Sequence, residues 1–443
     1  MSTAVTVFGS SLLALLLAGY YAQNYLPDPP PKIAGIDLGT TYSSIGVYHP
    51  ASGSVEIIPD GQGRKTIPSV VAFLKNGTVL VGHEAQNQAE HNPEGTIYDA
   101  KRFIGKTFKS SDNEFLLDTK ERYPFQIELD SNGKAYFMVP LDKGKWRKVY
   151  PEEVGAYIIN YLRDLCEKNQ NVSISKAVIS VPAEFDEQQR NATKKAAELA
   201  GMEIYRVISE PTAAALAYGL HKKPNIEHIL VVDLGGGTLD VSLLWLQGGM
   251  FITRAMAGNN RLGGQDFNQR MLKGLLDDIR ERHDKTVTDA EDLQNLRTAV
   301  ENAKLKLTND PRASISLHLK SIGKTYKHEF SRGEFEMLNA DLFEEVLEPV
   351  GATLDDAGIL RDEVDETVLV GGSTRIPKVR QIVGEFFQKA PNFGVDPELA
   401  VVTGVTVQAG VVGGGWPLKV AATELPVTLR KVHVYSRGKK QSR

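Results

Sequence analysis

The chain of 443 residues has one cysteine, Cys166. That excludes an intrachain disulfide and any cysteine-based metal site. Cys166 lies among Tyr157, Ile158, Tyr161, Leu162 and Leu165, a spacing that predicts a buried structural thiol rather than a reactive one. An excess of one charge is also missing. The formal net charge is −4 with acids and bases interspersed, so composition gives no basic surface for nucleic acid. Long uncharged runs are scarce, and the one that matters spans Ala4 to Ala22 around Leu12-Leu13-Ala14-Leu15-Leu16-Leu17-Ala18. It is near the lower length limit for crossing a bilayer, and it also fits a secretory signal cleaved near Ala22. No Lys or Arg precedes it, and Tyr20 is a poor small residue. The reading favours a signal peptide at residues 1–22, with membrane attachment expected only if residues 4–22 are retained. Pro27, Pro29, Pro30 and Pro31 make residues 23–31 a stiff linker. The chain stops at Lys439-Lys440-Gln441-Ser442-Arg443, without a luminal-retention ending. Asn76-Gly77-Thr78, Asn171-Val172-Ser173 and Asn191-Ala192-Thr193 match the glycosylation triplet, which is common by chance.

What is present is a repeated turn. Ile229-Leu230-Val231-Val232 reads as a buried strand, and Val241-Ser242-Leu243-Leu244 as a second. Between them lies Asp233-Leu234-Gly235-Gly236-Gly237-Thr238-Leu239-Asp240. Consecutive glycines let a ligand approach the backbone, and such a turn can form an anion-binding nest. The two aspartates add carboxylates and Thr238 a hydroxyl. The plain alternative is a glycine-rich hairpin with solvated acids. Against it stands an echo with the same grammar, Ile36-Asp37-Leu38-Gly39-Thr40-Thr41-Tyr42, between two apolar strands. A third glycine turn, Gly371-Gly372-Ser373-Thr374-Arg375-Ile376, follows the strand Val368-Leu369-Val370. Two copies of one unit, far apart in the chain, predict a duplicated fold with a ligand between its halves.

The remaining pattern alternates strands and helices, an α/β architecture. Thr66 to Phe73 reads as one strand opened by Pro68. Lys101 and Arg102 are neighbours and must point apart; by pattern alone they are two solvated bases. Asp186 caps a helix from Glu187 to Gly201. Glu210 to Gly219 is a small-residue helix with Pro211 early and Gly219 at its end. Leu293, Leu296, Val300, Ala303 and Leu307 form one apolar face. Glu301, Lys304 and Thr308 occupy a neighbouring face that pattern alone makes a solvated, salt-bridged surface. Ser314 to Phe330 is a hairpin, Asp341 to Leu354 and Pro377 to Phe387 are helices, and Pro397 to Gly413 is a buried helix. The tail at residues 416–443 is expected to fray.

Taken together, the segments around Asp37, Asp233 and Gly371, with Asp99-Ala100-Lys101-Arg102-Phe103-Ile104-Gly105 and Glu210-Pro211-Thr212-Ala213-Ala214-Ala215, resemble the ATPase domain of the heat-shock seventy chaperone family. The likeness runs from Lys32 to about Gly413, and it is to a truncated member without a peptide-binding domain. The resemblance implies an actin-like ATPase fold over residues 32–415. Lobe I would take about 32–225 and lobe II about 226–415, each a ribonuclease-H-like core plus a subdomain, with the nucleotide cleft between them. It further implies ATP or ADP with Mg²⁺ as cofactors. Gly39, Thr40, Thr41, Tyr42, Gly235, Gly236, Gly237 and Thr238 would hold phosphates. Asp37 and Asp233 would hold Mg²⁺ through water. Lys101 would position the attacking water, beside Glu210. Gly264, Glu301, Lys304, Thr308, Gly371, Gly372, Ser373, Arg375 and Ile376 would border the nucleoside. Pro182 and Arg190 match the family's relay.

Three residues depart from the pattern: Leu305 in place of an adenine-stacking arginine, Glu184 in place of a tyrosine, and Leu239 in place of a phenylalanine. The implied function is a slow ATPase of the endoplasmic reticulum lumen or microsomes, acting with chaperones, co-chaperones or quality-control proteins. The alternative is a non-catalytic, nucleotide-gated regulator or adaptor. A sugar kinase of the same fold lacks any recognisable sugar-site signature here, and fold alone does not assign function.

Overall fold

The strand Ala34–Leu38 folds back on Tyr42–His49, pairing Asp37 with Ser44. Both strands are buried on each face. Lys176–Val181 lies parallel on the other side of Ala34–Leu38, with Ile36 opposite Ile179. Glu203–Ser209 adds a further parallel strand, and Ser54–Ile57 closes the far edge. The parallel crossover uses the helix Glu187–Leu199. Asp186 starts that helix by accepting from Gln189 N at 2.9 Å, and Gln189 answers at Asp186 N. This computed structural model describes residues 12–18, 20, 33–109, 123–414, 423–424 and 431–434.

The second sheet repeats the plan. His228–Leu234 pairs antiparallel with Leu239–Gln247, placing Asp233 opposite Asp240. Glu366–Val370 runs parallel on its other side, with Val370 opposite Asp233, and Met250–Asn259 follows Leu239–Gln247. Each sheet thus holds an aspartate at the end of the same strand, flanked by the same neighbours. Separate hydrophobic clusters back the two sheets. A third joins them through the helices Glu210–Ala217 and Ala400–Val412. Their contact depends on small residues: a Cβ on Gly404 would meet Ala213 O at 1.7 Å, and one on Gly35 would meet Thr406 Oγ1 at 2.5 Å. The helix Ala400–Val412 therefore returns to pack on the first sheet. Cys166 is fully buried on the helix Pro151–Gln170, and burial pushes its thiol up to about 12.

Four expectations change. Thr66 to Phe73 is not one strand. Ile67–Pro68 pairs with the first hairpin, while Val71–Phe73 joins Val79–Val81 and Thr96–Ile97 in another sheet. The break lies at Ser69, which donates from its N to Thr41 O and from its Oγ to Gly39 O, both at 2.8 Å. Asp341 to Leu354 is split into Ala340–Glu345 and Leu347–Ala357, because Pro349 has no N–H for the carbonyl of Glu345. The tail does not simply fray. Thr423–Glu424 and Val432–His433 each pair parallel with Met250–Asn259, satisfying edge groups that would otherwise face solvent. The remainder of residues 416–443, like the linker at 23–31 and the cleavage position near Ala22, lies outside the described residues. Residues 12–18 are helical with exposed leucines. Among the described residues no helix is long and apolar enough to cross a membrane. The fourth change, at Lys101 and Lys304, belongs to the site.

Candidate functional site

The two hairpin turns face each other. In the first, a Cβ on Gly39 would lie 2.0 Å from Tyr42 O, so only glycine allows the chain to close there. The second closes through Gly235 N donating to Thr238 O at 3.0 Å. The helix Gly264–His283 backs it: Gly264 N donates to Gly235 O at 3.0 Å and Gln265 N to Gly236 O at 2.8 Å. A Cβ on Gly236 would sit 3.2 Å from Thr41 Oγ1. One glycine turn from each sheet thus borders a single narrow gap. Thr40, Thr41, Gly235, Gly236, Gly237 and Thr238 are all half-buried there. Turns of this composition suit an anion. The third turn is locked to the second. Gly371 has φ 83°, and a Cβ on it would meet Asp233 Oδ1 at 2.5 Å. Ser373 Oγ donates to Gly235 O at 2.8 Å.

The floor of the gap is acidic. Ser180 Oγ donates to Asp37 Oδ1 at 2.7 Å. Burial lifts the Asp37 carboxyl above its usual range, with Lys101 and Ser180 pulling the other way. Lys101 Nζ donates to Glu210 Oε1 at 2.6 Å and is 7% exposed. Burial raises Glu210 as well; Lys101 opposes, while Asp37 and Asp240 add to the rise. Asp233 is held well above the carboxylate range by burial first, then by the charges of Glu210, Asp240 and Asp37. The reading of Lys101 and Arg102 as solvated bases is corrected for Lys101. Arg102 turns away to Asp99 at 3.0 Å, as adjacent positions require. Among the described residues no three His, Cys, Asp or Glu side chains converge on one metal-ligand position. Mutually repelling acids that are spread apart fit a hard cation that keeps its own waters.

A polar wall flanks the turns on the second lobe. Lys304 is not on a solvated face. It is 8% exposed, donating to Gly264 O and to Glu301 Oε2, each at 3.1 Å, and burial pulls its pKa down. The buried stripe Leu296, Val300, Ala303 and Leu307 draws this neighbouring position inward. Asn268 Nδ2 donates to Glu301. Thr308, Leu305 and Arg375 border an open groove of about 880 Å³. Arg375 pairs with Asp396 and lies 3.6 Å from Glu398. A Cβ on Gly372 would be 2.6 Å from Glu398 Oε1. Ile376 is core, at 4% exposure, and Tyr42 is half exposed. Sequence reasoning missed Ser180, Ser69, Asn268, Asp396, Glu398 and Lys431. Lys431 Nζ bonds Asp240 and lies 3.4 Å from Glu184 Oε2. No local pattern marks any of these; Ser180, for one, comes level with Asp37 only through the parallel register of their strands.

Two lobes on one repeated sheet plan, closing on paired glycine turns above an acidic floor, define an actin-like ATPase fold. The chain belongs to the Hsp70 family: the family described as Hsp70 protein matches residues 33–429. It is 48% identical over 469 aligned positions to Heat shock 70 kDa protein 13 of Homo sapiens, across 96% of this chain and 98% of that protein. The Mus musculus protein of the same name gives the same identity and coverage, and the Pongo abelii one is 47% identical. Members of the family bind ATP and ADP with Mg²⁺, are ATPases and work with co-chaperones.

Proposed function

We propose that this chain binds MgATP between its lobes and hydrolyses it slowly in the endoplasmic reticulum, beside chaperone and quality-control partners. The observation that carries the reading is the opposition of Thr41 and Gly236 over the floor of Asp37, Glu210 and Asp233. In this reading residues 1–22 are a targeting segment, 23–31 a linker, about 32–225 lobe I, about 226–415 lobe II, and 416–443 a tail.

Phosphoryl transfer depends on positioning and charge neutralisation. Mg²⁺, when bound, offsets charge on the phosphate oxygens. The backbone of Gly39, Gly235, Gly236 and Gly237, with the hydroxyls of Thr40, Thr41 and Thr238, holds the phosphates. Asp37 and Asp233 hold the hydrated cation, each kept in place by its strand end. Lys101 orients the attacking water. Its bond to Glu210 at 2.6 Å uses one of the three N–H donors of the ammonium and fixes its direction, leaving two for that water. Tyr42, Gly264, Glu301, Lys304, Thr308, Gly371, Gly372, Ser373, Arg375 and Ile376 form the nucleoside side. Pro182 and Arg190 pass nucleotide state outward, and Arg190 Nε is tied to Phe185 O at 3.0 Å.

The test is phosphate release by the purified chain, with and without Lys101→Ala. Absence of hydrolysis, together with a Lys101→Ala protein identical to the wild type, overturns the reading. Protease protection of the protein in sealed microsomes tests its compartment. A second reading, a non-catalytic regulator or adaptor, is favoured by Leu305, which offers an exposed alkyl chain on the nucleoside side. It requires Asp233→Asn to keep the cellular effect of the wild type.

A further inference from the structure

Lys431 reaches both lobes. The strand Val432–His433 lies along Ala257–Gly258, and Val434 N donates to Gly258 O at 2.9 Å. Next to it the Lys431 side chain turns inward until it is 4% exposed. The passage exists because residue 258 is glycine: a Cβ there would lie 2.4 Å from Lys431 Cε. The ammonium bonds Asp240 at the start of a second-sheet strand and Asn260 Oδ1 at 3.1 Å. It also lies 3.4 Å from Glu184 Oε2, in the loop that leaves the first sheet. Burial disfavours the ammonium, but Asp240 and Glu184 outweigh burial and hold its pKa above the usual lysine value. The surrounding cavity, bordered by Pro182, Glu210, Asp233 and Asp240, is about 30 Å³. That leaves room for about one water.

An ammonium shared by carboxylates of two lobes loses one of them when the lobes part. We infer that Lys431 is a positioning residue, an interlobe clasp beneath the nucleotide cleft, whose release sets the rate at which nucleotide leaves. The assignment rests on the nucleotide reading above. Glu184, where the family resemblance leads one to expect tyrosine, is the first-lobe half of the clasp, and the tail supplies its partner.

The test uses the full chain and a fluorescent ADP analogue, with release followed by stopped flow and amide exchange read at Val434. Lys431→Met is expected to speed release about tenfold, since removing one partner of a buried charge pair acts mainly on the off-rate. Glu184→Gln is expected to speed release while leaving the Val434 amide protected, because the Asp240 pair and the strand persist. Lys431→Arg is expected to restore slow release. Wild-type release rates in both Lys431→Met and Glu184→Gln overturn the clasp and leave a mere edge strand. A freely exchanging Val434 amide in the wild type overturns it too. A wild type that binds no ADP analogue refutes the nucleotide reading and the clasp together, a different result from binding with unchanged release.

Discussion

Lys101 and Glu210 are 109 positions apart in sequence and form a salt bridge of 2.6 Å at the floor of the cleft. Lys101 is what keeps three clustered acids tolerable, because it opposes the upward shift at Asp37, Glu210 and Asp233 alike. Removing the ammonium leaves the half-buried Glu210 without its partner, which costs about 1–3 kcal/mol. Lys101→Ala is therefore expected to lower the melting temperature in the absence of ligand. It is also expected to cut single-turnover hydrolysis by about 100-fold or more, as loss of an electrostatic positioning group does. Binding of ADP should survive. Thermal melts and quenched-flow phosphate release check the two halves separately.

The glycines of the turns divide by what surrounds them. Gly371 combines φ 83° with backbone contact: a Cβ would meet Leu234 O at 2.4 Å and Asp233 Oδ1 at 2.5 Å. Gly371→Ala is strained in both torsion and packing, and is expected to destabilise the fold by about 1–3 kcal/mol. Gly236 meets only the Thr41 side chain, at 3.2 Å. Gly236→Ala is expected to melt like the wild type while losing nucleotide affinity, since the added methyl enters the gap between the lobes. Denaturant titration and calorimetric ADP binding on the two variants would separate these roles. Equal melting temperatures, or equal affinities, would contradict the placement of the turns.

These turns were legible because each follows an apolar strand and each is written in Gly and Thr, with Asp added in the first two. Duplication was legible from the echo at Asp37 and Asp233, and the sheets bear it out in register as well as order. Other features depend on facts no local pattern carries. Ser180 reaches Asp37 only through the parallel register that sets Ile36 beside Ile179. Glu301 and Lys304 have the same spacing on an exposed helix as on a buried one, and Gly264, 40 residues away, decides between them. Lys431 meets Asp240 across 191 positions from a segment without periodicity. The break before Leu347 was readable, since Pro349 cannot donate within a helix.

Acid sensitivity should originate partly outside the cleft. His221 lies in the short turn Leu220–Lys222, on the crossover from the first sheet to the second. Burial, with the charge of Lys222 adding, lowers its pKa from 6.5 to about 4. Above pH 6.5 the imidazole is neutral in both folded and unfolded chains, and its contribution is complete. As pH falls from 6.5 toward 4 the unfolded chain takes up a proton that the folded chain refuses, so stability is lost across that window. The loss is at most on the order of 3 kcal/mol for this one group. His221→Leu is expected to flatten the dependence between those pH values. Urea titrations at several pH values measure it, and a slope equal to the wild type's would exclude His221 as the source.

Leu305 offers the sharpest test of the nucleoside wall. It projects from the helix Ala290–Leu307 at 54% exposure and shares a groove with Thr308 and Arg375. An exposed position tolerates substitution, so Leu305→Arg is expected to change stability by less than about 0.5 kcal/mol. A guanidinium laid on an aromatic face contributes about 1 kcal/mol. If adenine lies in this groove, Leu305→Arg should tighten ADP about fivefold. The gain must come from the base alone, because the phosphate turns are untouched. Tripolyphosphate, which carries the charge of the nucleotide without its ring, is therefore expected to bind the variant and the wild type equally. Tighter tripolyphosphate would mark the effect as general charge attraction, and unchanged ADP binding would put Leu305 outside the base site.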